Sequence, residues 1–340
     1  MNWSKGFSVS HYASIVDSIS WKDTDRIEIE SGSINKTDSA LLQSADLTCE
    51  SNNDAANFDR EKWIRIYADV RQEDDSYHGP LFTGLVCSPS QQYNGNYIAN
   101  QLQCYSVLKP ADDILLQRGW YAAAKSEATK LVKDLLAVTP APVTIEGVSG
   151  EIVENIIAED GETNLSMVWK ILDMMNWNLD INGKGEIIIS TYPTILDTKV
   201  LFDPIDNDAI ETNISINFDW FDCPNVFRAI SGTSIAVSRD EDDDSPLSIQ
   251  NRGREVWMEE LHANLNTNES LGEYARRKLR EYQNVAYTIS YNRRYHPDIN
   301  MLDIIQMNYP AQNITGYFRV TNQNISLGHG ITVSEEAAKV

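Results

Sequence analysis

Ile64, Ile66, Ala68 and Val70 alternate with Arg65, Tyr67 and Asp69, a period of two that predicts a strand with one buried face. Polar stretches rich in Asp, Asn and Ser at 51–54 and 73–76 punctuate this part of the chain as loops. The first 110 residues therefore predict a β-barrel or a β-sandwich.

From Pro110 the pattern changes. Ala124, Ala128, Leu131 and Leu135 predict a helix over 122–136, which the run Thr139, Pro140, Ala141, Pro142 ends. Leu165, Val168, Trp169, Leu172 and Met175 share one face of a second helix over 165–176. Trp177, Leu179 and Ile181 then alternate up to the turn Asn182, Gly183, Lys184, Gly185, and Ile187 and Ile189 return as a hairpin. Residues 111–197 thus read as a small α+β domain.

Ser270 and Glu273 have the spacing of a capping box, so a helix starts there. Leu271, Tyr274, Ala275, Leu279 and Tyr282 form its apolar stripe, with Arg276, Arg277, Lys278 and Arg280 around or opposite. That basic face is either solvated or a dock for another subunit's negative surface; Arg276, Arg277 and Arg280 are the candidate inter-subunit contacts. Strands follow over 286–291, 304–307 and 317–327, with turns at Pro297-Asp298 and Pro310 to Asn313. In the last strand Phe318 and Val320 have even numbers and Ile325 and Leu327 odd ones, which predicts a bulge near 322–324.

At Gly253 to Trp257, Ala275 to Tyr282, Pro297-Asp298-Ile299, Asp303-Ile304-Ile305, Gly316-Tyr317-Phe318 and Leu327 to Gly330, the chain resembles the baseplate hub proteins of tailed phages and phage-tail-like bacteriocins, the T-even-type hub and late control gene D-like family. It departs from that pattern at Leu302, where such hubs commonly carry Gly. The resemblance implies a β-rich α+β chain with two tail-tube-like β-barrel domains, 1–110 and 198–340, flanking the α+β domain 111–197. The second barrel would hold an inserted loop and helix region over about 237–283. It implies a homotrimer whose six barrels adapt a six-fold tail tube to a three-fold spike and keep the channel continuous. Its partners would be the tail tube protein, the spike protein, other baseplate proteins and the tape measure, with no cofactor, no sequence-specific nucleic acid and no membrane insertion. The location implied is a virion or phage-like tail, assembled in the bacterial cytoplasm. An internal echo fits two barrels: Phe82-Thr83-Gly84-Leu85-Val86 matches Ile314-Thr315-Gly316-Tyr317-Phe318.

The net charge of −22 argues against a nucleic-acid binder, since phosphate affinity comes from Lys and Arg, yet suits a conduit that repels DNA. No apolar run approaches a membrane span, and the start lacks the features of a signal peptide. The Asn-x-Ser/Thr sequences, such as those at Asn164 and Asn313, reflect composition rather than glycosylation. Cys49, Cys87, Cys104 and Cys223 are dispersed, which predicts buried free thiols. His11, His78, His262, His296 and His329 make no metal spacing, and no nucleophile elbow, Walker loop or dinucleotide fingerprint occurs. Asp240 to Asp244 lack the Gly of a calcium loop and predict a solvated turn, with a flexible insertion over 237–249. The chain therefore reads as a structural protein and not an enzyme.

Two alternatives belong to other classes. A peptidoglycan hydrolase would use paired carboxylates, best placed at Glu159-Asp160-Gly161-Glu162, which read equally as a turn before a helix. A receptor- or glycan-binding tail-tip protein would use an exposed surface. Trp220-Phe221 and Trp257-Met258 are each expected to expose one member on a strand unless an interface covers it.

Overall fold

A computed structural model describes the chain except for residues 4, 51–57, 74, 95–96, 154, 206–208, 212, 219, 222, 262–268, 285–286 and 329. The 51–54 loop, Asp74, His262 and His329 fall outside the described residues.

The first strands are β1 (Ser8–Val16), β2 (Asp23–Thr37), β3 (Gln43–Glu50), β4 (Lys62–Gln72), β5 (Asp75–Asn94) and β6 (Tyr97–Ser106). They pair in the order β1-β4-β5-β6-β3-β2, and β2 pairs β1 again, so this circuit of six closes on itself. Alternation drives the closure, because Ile34, Ala45, Leu47, Ile64, Ile66 and Leu102 all turn inward to one core.

The middle unit holds α1 (Lys109–Asp113), β7 (Tyr121–Ala122), α2 (Ala128–Leu136), β8 (Val143–Ile145), β9 (Ile156–Ile157), α3 (Asn164–Met175), β10 (Trp177–Ile181) and β11 (Ile187–Thr191). The helix expected over 122–136 starts only at Ala128. Lys125 adopts a left-handed φ of 68°, and its amide bonds the Ile152 carbonyl, which holds the stretch before Ala128 out of the helix. α3 runs as its periodicity indicates: Thr163 and Ser166 close a capping box, and Asn176 ends the helix in left-handed geometry.

The remaining elements are β12 (Val200–Phe202), β13 (Ser215–Phe218), β14 (Val226–Ser231), β15 (Ser234–Arg239), α4 (Ile249–Arg252), β16 (Trp257–Leu261), α5 (Leu271–Asn284), β17 (Tyr287–Arg294), β18 (Ile304–Tyr309), β19 (Ile314–Gly328) and β20 (Gly330–Lys339). A second path runs β12-β18-β19-β20-β17-β13. Strands β15, β14 and β16 form a separate small sheet, against which α5 packs Tyr274, Ala275 and Leu279. The flexible insertion expected over 237–249 is instead structured: residues 237–239 belong to β15, and the acidic turn is tied by Asp240, which accepts from the Ser245 hydroxyl at 2.6 Å and the Gln283 amide at 2.8 Å.

β19 joins the two paths. Its first half pairs β18, and residues 322–327 pair β2 from Thr37 back to Gly32, so one large sheet crosses both halves of the chain. The expected bulge lies between Val320 and Asn322, just ahead of 322–324. The chain is thus β-rich, with a large, mostly antiparallel sheet.

Candidate functional site

Eight strands, in the order β5-β6-β3-β2-β19-β20-β17-β13, share one continuous face. Register places polar residues side by side across it. Ser88 faces Gln103, which faces Asp46, then Ser33, Ser326, Thr332 and Arg294. A parallel row runs Tyr105, Ser44, Asn35, Asn324, Ser334, Asn292. A third runs Thr37, Asn322, Glu336, Ser290, Ser215. Asn324 donates to Asn35, and the Ser334 hydroxyl donates to Asn292 at 2.7 Å, so neighbouring side chains satisfy one another across strands.

The opposite side of the same strands is core: Ile34, Leu47, Leu102, Ile325 and Val333 are all buried. Within these rows only Asp46, Glu336 and Arg294 are charged, so the chain's acidic surplus is not gathered here. Uncharged Ser, Thr, Asn and Gln side chains make up most of the face.

The basic helix contributes differently from its sequence reading. Arg277 is held within the chain, with Nε and Nη2 on Glu269 at 2.9 and 3.1 Å and Nη1 on Glu281 at 2.8 Å. Lys278 bridges α5 to α3 through Asp173 at 2.7 Å. Arg276 is exposed, while Arg280, also exposed, joins Arg277, Trp169, Tyr192 and Arg319 in lining a cavity of about 530 Å³ where α3, α5 and β19 meet.

The candidate hydrolase carboxylates lie in the turn before α3, whose cap is made by Thr163 and Ser166. Glu162 accepts from the Glu159 amide at 2.8 Å and pairs with Lys170, and Asp160 lies exposed 3.6 Å from Arg118. Among the described residues no cluster of three or more His, Cys, Asp or Glu could hold a metal ion. All four cysteines are free, and Cys87 is only half-buried. Burial pushes the Cys49 thiol up to about 12. No described helix is long and apolar enough to cross a membrane.

Trp220 and Phe221 lie beyond β13 rather than in a strand, and both are exposed, at 51% and 80%. Trp257 and Met258 do split across β16, with Trp257 outward and Met258 against α5.

Solved structures that share this architecture include phage tail proteins and a type VI secretion component. A prophage MuSo2 43 kDa tail protein from Shewanella oneidensis superposes with a TM-score of 0.69 at 14% identity, covering 98% of this chain and 97% of that one. The fold is that of phage tail proteins. A tail protein from Neisseria meningitidis gives a TM-score of 0.69 at 12% identity over 98% and 97% of the two chains. An Escherichia coli component of the type VI secretion system, itself described as structurally similar to T4 phage tail proteins, gives 0.55 at 10% identity over 92% and 74%. No family model matches the sequence, and no curated protein matches it.

The polar rows were missed by sequence reasoning. Their signal was present in the polar alternation of β2, β3, β6 and β20, but the order in which strands lie side by side is set by long-range pairing.

Proposed function

We propose that this chain is a structural hub at the baseplate end of a phage or phage-like tail. Copies close head to tail into a homotrimeric ring whose lumen is the polar sheet face. Two tube-like barrels, 1–110 and 198–340, flank the α+β unit 111–197 in each copy. The ring joins a six-fold tail tube to a three-fold spike and keeps the channel continuous.

The observation that carries this reading is the eight-strand face with polar, mostly uncharged rows, on a fold shared with tail proteins along nearly the whole chain. A surface that DNA or protein must slide along benefits from lacking Lys and Arg clusters, because each neutralised phosphate adds affinity. The work is mechanical, without a cofactor, and its partners are the tail tube and spike proteins.

Light scattering on the purified chain, alone and with a co-expressed spike, tests the proposal. A trimer in either condition supports the hub. A monomer indifferent to every tail partner overturns it.

A further inference from the structure

Four parts of the chain meet at the cavity of about 530 Å³: the turn between β2 and β3 at Leu42, α3 at Trp169, α5 at Arg280 and β19 at Arg319. Its charges are unevenly settled. Arg277 and Lys278, which also line it, are taken up by Glu269, Glu281 and Asp173. Among the described residues Arg280, Arg319 and Lys339 have no carboxylate within ion-pair distance, and Asp38 is the one lining side-chain carboxylate outside an ion pair. A chain of net charge −22 thus turns a surplus of positive charge into a cavity.

Arg319 is the least satisfied of these groups. Its Nη2 donates to the Pro193 carbonyl at 3.2 Å, its Cζ lies 5.8 Å from the centre of the Tyr192 ring, and its Nε is buried without a partner. Elsewhere the chain gives a guanidinium held out of water a carboxylate: Asp23 for Arg65 and Glu335 for Arg293. Burial, the leading cause, lowers the Arg319 pKa against the pull of Tyr192 and Glu281, as for a charge short of both water and a counter-ion. The walls between the charges are apolar, made by Leu42, Leu179, Leu302 and the Trp169 ring, which its Nε1 bond to the Ala40 carbonyl holds at 3.0 Å. A small excess of positive charge beside such walls suits one negative charge next to an apolar group, while Asp38 and Glu281 disfavour a polyanion.

We propose that the cavity binds a peptide segment of a partner protein, seating a carboxylate against Arg280 and Arg319 and a large apolar side chain against Trp169 and Leu42. The carboxylate comes from an Asp or Glu side chain or from the segment's own C-terminus. The site stands whether or not copies of the chain form a ring. Because α5 and its small sheet have a core of their own, an occupant held by both Arg280 and Arg319 also fixes that unit against β19.

The test titrates acetylated tripeptides into the full chain, followed by saturation-transfer NMR: Leu-Glu-Leu amide, Leu-Gln-Leu amide, and Leu-Gln-Leu with a free C-terminus. One or both charged peptides are expected to bind in roughly the millimolar range or tighter and the neutral amide about tenfold more weakly, and the tighter charged peptide names the source of the carboxylate. Arg280→Gln, at an exposed position, and Arg319→Gln should each remove that preference. Neutral and charged peptides binding alike, no binding by any of them at about 10 mM, or a charge preference unchanged in both variants would overturn the proposal. Inorganic phosphate displacing the charged peptide at equal concentration would make the cavity a phosphate site and overturn the peptide assignment.

Discussion

The Arg293 guanidinium and the Glu335 carboxylate meet in a two-point contact inside the second half of the sheet, Nη2 to Oε1 at 2.6 Å and Nε to Oε2 at 2.8 Å, with 1% and 2% of each residue exposed. Tyr291 and Gln323 each donate to the same carboxylate at 2.7 Å, so Glu335 ties β17 and β19 through β20. Glu335→Ala leaves the buried guanidinium unpaired and should cost about 3–5 kcal/mol, whereas the double change Arg293→Met with Glu335→Leu should recover the part due to that unpaired charge while Tyr291 and Gln323 still lack their acceptor. Urea unfolding of the three variants checks it; a double variant as unstable as the single one would show that the pair supplies more than mutual compensation.

The middle unit is locked to the first circuit through one turn. Arg65 donates to the Lys184 carbonyl at 3.0 Å, Trp21 Nε1 donates to the same carbonyl at 3.0 Å, and the Thr83 hydroxyl donates to the Gly183 carbonyl at 2.8 Å. A Cβ on Gly183 would sit 2.0 Å from the Pro80 carbonyl oxygen, a backbone atom that cannot step aside. Gly183→Ala should therefore destabilise by roughly 1–3 kcal/mol or part the two units, and hydrogen exchange on β10 and β11 should rise with it.

Asp303 gives the sheet a pH dependence of predictable sign. Burial, the leading cause, raises its pKa from 3.8 to about 6, against the pull of the Asn300 amide at 2.7 Å and of Lys199 at 3.9 Å. The native state thus holds a proton that the unfolded chain has lost between about pH 4 and 6, and this residue's contribution to stability falls as pH rises through that window. Asp303→Asn keeps an acceptor for Asn300 and removes the buried charge. It should be more stable than wild type at pH 7.5 by roughly 3 kcal/mol at most and converge with it near pH 4. A stability difference constant across that range would refute the assignment.

What was legible in the sequence was local. Ser270 and Glu273 predict a reciprocal cap, and the Ser270 amide does donate to Glu273 at 2.9 Å while the Glu273 amide approaches the Ser270 hydroxyl at 3.3 Å. α3 and the β10–β11 hairpin follow their periodicities for the same reason. Where distant backbone decides, the reading shifts: the Ile152 carbonyl keeps Lys125 out of α2, and Glu269 with Glu281 draws Arg277 inward from a face that its spacing places outside. The polar rows illustrate the limit best. Ser33 and Asp46 each look like an unremarkable polar strand position, and only pairing between residues far apart in sequence makes them neighbours on one surface.

Trp220 and Phe221 test whether the assembly uses the open end of the sheet. Both side chains are exposed beside β13, the Trp220 ring meets Phe218 at 5.6 Å, and the Trp220 carbonyl accepts from Arg252 at 2.6 Å, a bond that a side-chain change leaves in place. Substitutions at exposed positions usually shift stability by no more than about 0.5 kcal/mol each, and loss of an exposed ring contact adds a comparable amount. Trp220→Ser with Phe221→Ser should therefore lower the monomer's melting temperature by no more than about 5 °C. The same double change should weaken self-association by about tenfold or more if these rings anchor the next copy, since aromatic side chains in the centre of an interface carry most of its energy. Thermal melts and concentration-dependent light scattering separate the two effects. Unchanged association would place the interface elsewhere on the chain, and a melting temperature lowered further than that with unchanged association would make the two rings part of the monomer's own packing.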